Sequence, residues 1–396
     1  MSELLRQTPP VASDVVGAVS ALAAFHSLNL LFAPVGCLAA VRAALDGFYF
    51  KNPLYAAQME ELDAVMGMEG HFLVWAGRLI RRHPEIEFVA LIGAPIPTVS
   101  GVNLKRIAVR LERDYGLPVL CIEATGFGSC YWGMHLVWDT LGKRFLKKTP
   151  GEQDGSVNIL GASRFILGDD WGLAEIKSAL GQCGISLECV FEQCGTLSAL
   201  SNSTKASCNL VMSHESLGIA QYMWEVFNIP YIVRFPAGRH GMRCLLMELS
   251  QHIDCAVPRS LLELYEIPWD RKDGRKIIVG TAPAVSAGLQ NCLREDFGIQ
   301  QVAALGIAPE ERRISMRYHP YFEELSFTES FTQMKEIFSQ YELIISDPIL
   351  QAAAGSAQFL PLTYAPLSGK QYIDARQSLL GLSGDAWLAA MLETEV

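Results

Sequence analysis

The stretch that decides the fold of this chain is Ser27-Leu-Asn-Leu-Leu-Phe-Ala-Pro-Val-Gly-Cys-Leu38. It runs from an apolar, strand-like segment through a turn into the helix-like residues Ala39 to Leu45. Gly36 can bend the backbone sharply, so the thiol of Cys37 is expected to face whatever lies over the end of the strand. Such a thiol is a candidate ligand of a metal cluster. A small buried hydrophobic side chain is the alternative interpretation of a single cysteine.

One order of elements occurs in three segments of similar length: an apolar strand, a turn, an amphipathic helix and the next strand. Short apolar strands that alternate with helices indicate parallel sheets covered on both faces. We therefore expect an α/β fold of three Rossmann-like domains, with parallel sheets flanked by helices and a cleft between the domains. Polar joints at Thr149–Gly155 and Asp270–Gly274 predict domains at 1–150, 151–273 and 274–396. The predicted strands are Leu28–Ala33, Phe88–Gly93, Pro118–Glu123, Val157–Gly161, Leu187–Phe191, Asn209–Ser213, Tyr231–Phe235, Lys276–Gly280, Leu343–Ser346 and Phe359–Leu362.

The composition argues against several classes of partner. Half of the 396 residues are hydrophobic, 19% are charged and the formal net charge is -10. This negative charge argues against nucleic acid or an anionic membrane as a partner. Arg6 and the pair Pro9-Pro10 stand where a secretory signal would need an apolar core, which favours a cytoplasmic protein. Ten cysteines in that compartment are not expected to form a disulfide framework, and a few of them could bind metal.

The nucleotide-binding loops of other α/β proteins do not follow any predicted strand. Neither a Walker loop nor a Gly-x-Gly-x-x-Gly turn occurs, so we expect no nucleotide to be bound by this chain through those devices. The segment Gly161–Gly168 could hold an anion, with an ordinary loop between strand and helix as the alternative. Neither Gly-x-Ser-x-Gly nor His-Glu-x-x-His occurs, which leaves hydrolase chemistry with little support.

Four motifs of the first segment occur in the order seen in nitrogenase component 1 subunits. They are Ala33-Pro-Val-Gly-Cys37, Gln58–Gly67, Gly93-Ala-Pro-Ile-Pro-Thr98 and Cys121–Ser129. Val157–Gly161 and Asn209–Tyr231 are similar to the middle domain of the same family. The chain thus resembles this family over at least residues 27–250. The resemblance implies a subunit that pairs with a homologous subunit or with a second copy of itself, and that receives electrons from an ATP-dependent iron protein.

Cys37 matches the central cysteine with which this family binds an iron–sulfur cluster between paired subunits. Soft thiolate ligands suit the iron of such a cluster. Two other cysteine positions of the family are absent, one upstream of Cys37 and one at Ala94. We therefore expect a cluster of the [4Fe-4S] type whose remaining ligands come from a partner subunit, from a second copy, or from Cys121 and Cys130. The alternative for Cys121 and Cys130 is that they are packed thiols without a metal. The predicted cluster-binding set is Cys37, Gly36, Cys121, Cys130 and Gly128.

Catalytic subunits of the family bind an iron–molybdenum cofactor through a cysteine after the Asn-Leu-Val strand and a histidine in the third domain. Ser213 stands at the first position here, and the corresponding later loop carries Lys370 but no histidine. Binding of that cofactor in the usual manner is therefore not expected. His214 and Glu215 are candidate proton donors to a substrate, or alternatively the ordinary first turn of a helix. The candidate substrate-binding residues are Ser213, Arg234, Arg239, His240 and Lys370; the basic loop among them could bind carboxylates or lie in solvent.

The resemblance implies two functions. The first is a subunit of a nitrogenase-like reductase that accepts electrons from the iron protein through the cluster and reduces a substrate in the interdomain cleft. The alternative is a non-catalytic scaffold on which a nitrogenase-type iron–sulfur cofactor is assembled. The absent cofactor ligands favour the reductase, whereas the single cluster cysteine fits a scaffold subunit at least as well. Glu60, Glu61 and Asp63 are candidates for part of the surface that docks the iron protein, with a solvated helix end as the alternative.

Overall fold

The computed structural model describes residues 12–45, 52–57, 69–148, 153–167, 171–266, 274–308, 319–328, 330–368 and 378–393. The motif Gln58–Gly67 with its candidate docking residues, and Lys370, lie outside these ranges. The described residues fall into two compact units. The first unit comprises those between 10 and 149 together with 191–204, and the second comprises those between 150 and 190 and from 205 onward. The boundaries at 151 and 274 stay a prediction.

The elements follow the alternation of strands and helices that the sequence predicts. The strands are β1 (Ser27–Leu31), β2 (Leu54–Ala56), β3 (Phe88–Ile92), β4 (Val119–Ile122), β5 (Val157–Leu160), β6 (Leu187–Val190), β7 (Cys208–Val211), β8 (Tyr231–Val233), β9 (Ile277–Thr281), β10 (Val302–Gly306), β11 (Leu325–Phe327), β12 (Leu343–Ser346) and β13 (Gln358–Pro361). The helices are α1 (Asp14–Leu22), α2 (Val35–Ala44), α3 (Glu69–Arg82), α4 (Pro95–Ser100), α5 (Leu104–Tyr115), α6 (Cys130–Phe145), α7 (Arg164–Leu167), α8 (Trp171–Gln182), α9 (Leu197–Asn202), α10 (Leu217–Phe227), α11 (Gly238–His252), α12 (Arg259–Leu264), α13 (Pro283–Glu295), α14 (Phe331–Phe338), α15 (Ala365–Ser368) and α16 (Gly381–Glu393).

A four-stranded parallel sheet with the order β2-β1-β3-β4 forms the centre of the first unit. Strands β1 and β3 are buried along their whole length, as expected where both faces of a parallel sheet are covered. A cluster of buried side chains from the sheet, α3 and α5 forms a core around Phe32, Phe72 and Ile107. Because the strands are parallel, the loops after β1, β3 and β4 leave the sheet at the same edge.

Helices α1 and α6 of the first unit approach each other with their backbones in contact. A Cβ at Gly17 would lie 1.7 Å from the carbonyl oxygen of Cys130, and a Cβ at Gly133 would lie 1.8 Å from that of Asp14. Only glycine fits at these two crossing points, because any side chain would force the helices apart. The crossing therefore holds the beginning of α6, and with it the loop after β4, against α1.

The second unit contains two parallel sheets, one with the order β6-β5-β7-β8 and one with the order β11-β10-β9-β12-β13. In the first of these, Asn158 and Asn209 occupy paired positions of the central strands and are both fully buried. Nδ2 of Asn158 donates to Oδ1 of Asn209 at 2.8 Å, which offsets the cost of burying the two amides. Strand β8 is at the edge of its sheet.

The predicted α/β fold with three parallel sheets is confirmed, and each of the predicted strands overlaps an observed one. The corner after β1 differs from the expectation for Gly36. Pro34 precedes α2 with extended backbone angles, φ -60° and ψ 155°, and Gly36 already lies inside the helix. The fixed ring of Pro34 thus makes the turn, and Cys37 lies in the first helical turn. Among the described residues, none of the helices combines the length and the apolar character that a membrane span requires.

Candidate functional site

Cys37 lies at the edge of the first sheet where the chain leaves β1. Its backbone N–H donates to the carbonyl oxygen of Pro34 at 3.0 Å, and its side chain is half-buried. The neighbouring backbone is open, since Gly36 is exposed and a Cβ built on it would meet no atom within 4 Å. Val35 is 56% exposed. The thiol therefore lies on a surface that another molecule can reach.

The loops after β3 and β4 close against each other at the same edge. A Cβ at Gly93 would lie 2.4 Å from the carbonyl oxygen of Ala124, and one at Gly126, whose φ is +80°, would lie 2.4 Å from Pro95. Each loop presents an exposed apolar side chain, because Val99 is 79% and Phe127 is 74% exposed. We call Val35, Cys37, Val99 and Phe127 the cluster edge. Exposed apolar side chains on three neighbouring segments of one sheet edge make this edge a candidate surface for a partner.

Asp14 fixes the loop that carries Phe127 and Gly128. Its carboxylate accepts the backbone N–H groups of Thr125 at 2.8 Å and Gly126 at 2.7 Å, and the hydroxyl of Thr125 at 3.0 Å. The Asp14 N–H donates to the carbonyl oxygen of Gly128 at 2.9 Å. Gly128 is needed for this approach, because a Cβ there would lie 2.8 Å from Oδ2 of Asp14. No sequence motif marks Asp14, whose partners lie more than a hundred residues away.

Of the other two predicted cluster cysteines, Cys121 is half-buried like Cys37, whereas Cys130 is buried. Cys121 lies in β4, where burial and then the charge of Glu123 raise the pKa of its thiol to about 12. Cys130 is 1% exposed and begins α6 at the crossing with α1. Within the described ranges, no three His, Cys, Asp or Glu side chains are grouped so that they could hold a metal ion. The structure thus does not bring the three predicted thiols into one donor set, and their roles stay predictions.

Ser213, His214 and Glu215 follow β7 in the second unit; Ser213 and Glu215 are buried, and the His214 side chain is 8% exposed. The Ser213 hydroxyl donates to Oε2 of Glu215, and Nδ1 of His214 lies 3.8 Å from the same oxygen. A Cβ at Gly161 would lie 2.9 Å from that of Ser213, so the loops after β5 and β7 are tightly packed. The residues at 214–216 form a short 3-10 turn that leads into α10. This arrangement places an acid, an imidazole and a hydroxyl together at the carboxyl end of a parallel strand.

Of the four basic residues predicted to bind a substrate, the three that the structure describes contact different parts of the second unit. Arg239 donates from Nε to Asp385 at 3.0 Å and from Nη1 to the carbonyl oxygen of Leu264 at 2.8 Å. The His240 ring places Nε2 3.3 Å from the sulfur of Cys244, and burial lowers the pKa of this histidine. Arg239 and His240 therefore have partners within the protein itself, and their roles in substrate binding stay predictions.

Arg234 differs from the other two because it lines a cavity. This cavity has a volume of about 450 Å³ and lies within the second unit, between β8, the end of α11 and the middle of α13. Nε of Arg234 donates to Glu248 at 3.1 Å, and Nη2 donates to the other oxygen of the same carboxylate. Neither Ser213, His214 nor Glu215 lines this cavity.

Comparison with known proteins gives a family match over most of the chain. Residues 13–342 match the model of the family described as nitrogenase component 1 type oxidoreductase. Over its whole length the chain matches a solved structure of nitrogenase Cp1 at pH 6.5, with a TM-score of 0.77, 14% identity and 93% of that chain covered. At this identity the structural match bears on the fold alone.

Three curated relatives match part of the chain at low identity. The chain is 24% identical to the nitrogenase iron-molybdenum cofactor biosynthesis protein NifE of Klebsiella pneumoniae, over 69% of this chain and 65% of the relative. It is 25% identical to one of the subunits of the light-independent protochlorophyllide reductase of Zygnema circumcarinatum, over 47% and 41%. It is 27% identical to the nitrogenase molybdenum-iron protein alpha chain of Clostridium pasteurianum, over 52% and 39%. The chain thus spans from about two fifths to just under two thirds of the lengths of these relatives.

Proposed function

This chain belongs to the nitrogenase component 1 type oxidoreductase family, and on that premise we propose that it is a subunit of a nitrogenase-like reductase. Cys37 binds an iron–sulfur cluster of the [4Fe-4S] type at the cluster edge. The remaining ligands come from a homologous subunit or from a second copy of the chain. When bound, the cluster supplies one-electron transfer. The electron donor is a separate ATP-dependent iron protein.

The position of the Cys37 thiol carries this proposal. It is half-buried in the first turn of α2, with open space beside Gly36, whereas Cys121 and Cys130 lie in a strand and beneath a helix crossing. A thiol that is to be shared with another chain must lie at a surface, and Cys37 satisfies this condition. One thiolate per chain is too few for a four-iron cluster, so the fit is to a cluster shared between chains.

The apolar character of the cluster edge supports a partner at this surface. Val35, Val99 and Phe127 are each more than half exposed, and one of them lies on each segment that follows β1, β3 and β4. Exposed apolar side chains at the centre of a contact are buried when an obligate partner binds. A partner at this edge would also exclude water from a cluster bound to Cys37.

At the carboxyl end of β7, Ser213, His214 and Glu215 are the groups that this chain would contribute to reduction of a substrate. Each electron added to an organic substrate requires a proton to neutralise the charge that develops, and imidazole titrates near neutral pH. The hydroxyl of Ser213 bonded to Glu215 holds the carboxylate next to the ring of His214. The proposed role of this group is proton delivery.

The experiment that tests the cluster assignment is the replacement Cys37→Ala, with Cys189→Ala as the matched control. Both proteins are purified without oxygen, and iron and acid-labile sulfide are measured per chain, with circular dichroism as the check on folding. We expect Cys37→Ala to lose the iron while it keeps its fold, and Cys189→Ala to keep both. Full iron content in folded Cys37→Ala would overturn the proposal.

A scaffold for cofactor assembly is the second candidate, and the similarity to the NifE protein of Klebsiella pneumoniae favours it. The two functions differ in the fate of the cluster. A reductase subunit keeps its iron through many turnovers with iron protein and MgATP, whereas a scaffold passes iron and sulfide to an acceptor protein. Iron-57 loaded on this chain and followed by Mössbauer spectroscopy, with an apo-nitrogenase as the acceptor, separates retention from transfer.

A further inference from the structure

The cavity beside β8 is a separate feature of the second unit that the proposed function does not use. Its lining includes Arg234, Glu248, His252, Gln290, His319 and Tyr321. Its volume of about 450 Å³ is within the range of small-molecule sites. The cavity follows the outer edge of β8 and does not include the residues after β7.

Arg234 is held rigidly at the wall of this cavity. Its Nε and Nη2 groups bind both oxygens of Glu248, and its guanidinium carbon lies 5.7 Å from the centre of the Tyr321 ring. Within the part of the chain that the structure describes, no hydrogen bond engages Nη1 of Arg234. Both N–H groups of Nη1 are thus left for a ligand, and a guanidinium is well suited to binding carboxylates.

His319 adds a further donor. Its Nδ1 accepts the backbone N–H of Tyr321 at 3.3 Å, so in the neutral ring the proton is on Nε2. Burial lowers the pKa of His319, which favours that neutral form at pH 7. The ring lies 6.2 Å from that of Tyr231 and 6.0 Å from that of Phe322, and these contacts fix its orientation.

The edge of β8 also contributes backbone groups. On the side of β7, the N–H of Asn209 donates to Pro230 and the N–H of Arg234 donates to Val211. Because backbone groups alternate in direction along a strand, those of Tyr231 and Val233 face away from β7. Both residues line the cavity. Ile232, Val233 and Ala287 form the apolar part of the cavity lining.

We infer that this cavity binds a small organic carboxylate with an apolar or aromatic body. The carboxylate accepts hydrogen bonds from Nη1 of Arg234 and from Nε2 of His319, and the body of the ligand lies against Val233 and Ala287. The inference does not rest on the proposed function, because it uses only contacts within the second unit.

The test uses 4-fluorobenzoate and its neutral analogue 4-fluorobenzamide as probes of the full chain, with binding followed by fluorine NMR line broadening. We expect 4-fluorobenzoate to bind at least about tenfold more tightly than 4-fluorobenzamide, because a charge-assisted hydrogen bond is stronger than a neutral one. Equal affinity for the two probes, or no binding of either, would overturn the inference.

One variant of Arg234, one variant of its partner Glu248 and one control variant test whether the probe binds at this cavity. Arg234→Gln should weaken 4-fluorobenzoate at least about tenfold. Arg243→Gln removes the same charge from an exposed position of α11 and should change the affinity less than twofold. Glu248→Gln removes the competing carboxylate and should bind the probe at least as tightly as the parent. An equal loss in Arg243→Gln, or a tenfold loss in folded Glu248→Gln, would contradict a carboxylate site on Arg234.

Discussion

The carboxylate of Asp296 accepts the backbone N–H of His240 at 2.9 Å, which ties the end of α13 to the first turn of α11. The thiol of Cys292 donates to the same carboxylate at 3.3 Å. Gly238 makes room for this contact, because a Cβ there would lie 2.1 Å from Oδ2 of Asp296. Its φ of +65° is also a conformation that favours glycine. A buried acid is therefore part of the join between two helices of the second unit.

We predict that Asp296 makes the stability of the second unit depend on pH. Burial raises the pKa of its carboxyl to about 6, against an unfolded value of about 3.9. A raised pKa favours the folded state at low pH, and that contribution is lost as the pH rises through about 6. Between pH 5 and pH 7.5 the wild-type chain should lose about 1.4 kcal/mol through this group.

The variant Asp296→Asn should remove this dependence, since its amide oxygen can still accept the His240 N–H. Urea unfolding at pH 5 and pH 7.5 measures the difference between variant and parent at each pH. The exposed Asp254→Asn is the control, and it should leave the difference between the two pH values unchanged. If the free energies of unfolding of Asp296→Asn and the parent differed by the same amount at both pH values, the prediction would be contradicted.

The crossing of α1 and α6 gives a second prediction. Gly17→Ala should destabilise the first unit by about 2–3 kcal/mol, because its Cβ would lie 1.7 Å from a backbone oxygen that cannot move independently. Gly36→Ala adds the same methyl group where there is open space inside α2, so it should not destabilise the unit and should stabilise it by up to about 1 kcal/mol. Thermal unfolding of the two variants measures both. Equal stability of the two would show that the helices can separate at little cost.

The sequence predicts the sheets of this protein better than its long-range contacts. Strands such as Leu343–Ser346 are short and mainly apolar, a pattern that predicts burial on both faces, and the structure buries every residue of this strand. The strands that the sequence does not predict are β2, β10 and β11, which are short, built of small side chains, or partly polar. Their pairing with a neighbouring strand, and not their own pattern, makes them strands.

The candidate site shows the same limit. Cys37 can be identified as a candidate ligand from the sequence because its motif is a continuous stretch of the chain. Asp14 and its partners after β4 are more than a hundred residues apart, and so are Arg239 and Asp385. No local pattern signals such pairs, because they are set by how helices pack on different strands. A basic residue near a strand end therefore suggests a substrate contact in the sequence, although Arg239 has a partner inside the protein.

A third prediction concerns the pair Arg239 and Asp385. The Asp385 side chain is 3% exposed, so Arg239→Gln would leave a buried carboxylate without its cation. We expect a loss of about 3–5 kcal/mol in the free energy of unfolding. The double variant Arg239→Gln with Asp385→Asn should recover part of that loss, since no charge is then left buried. Chemical unfolding of the two single variants and the double variant gives the coupling energy, and additive losses would contradict the prediction.

The last prediction concerns the electron donor that the proposed function requires. In the proposed function the dependence on nucleotide lies in a separate iron protein, and the sequence of this chain contains no phosphate-binding loop of the Walker type. We expect a cluster on this chain to be reduced quickly by a cognate iron protein with MgATP and slowly with MgADP. Stopped-flow absorbance measures the rate, and direct reduction by dithionite, which should not depend on nucleotide, is the control.

Added salt should slow the reduction of the cluster by the iron protein if this chain and the iron protein dock through exposed charges. Lys105 and Glu123, which pair at 2.7 Å beside the loop after β4, are such charges on the first unit. Screening over a Debye length of about 8 Å at physiological ionic strength reduces the attraction between such surfaces. The rate with MgATP should therefore fall steadily between low and high salt, while the dithionite rate stays constant. Equal rates with MgATP and with no nucleotide, or binding of ATP to this chain alone, would argue against the role of an electron-accepting subunit.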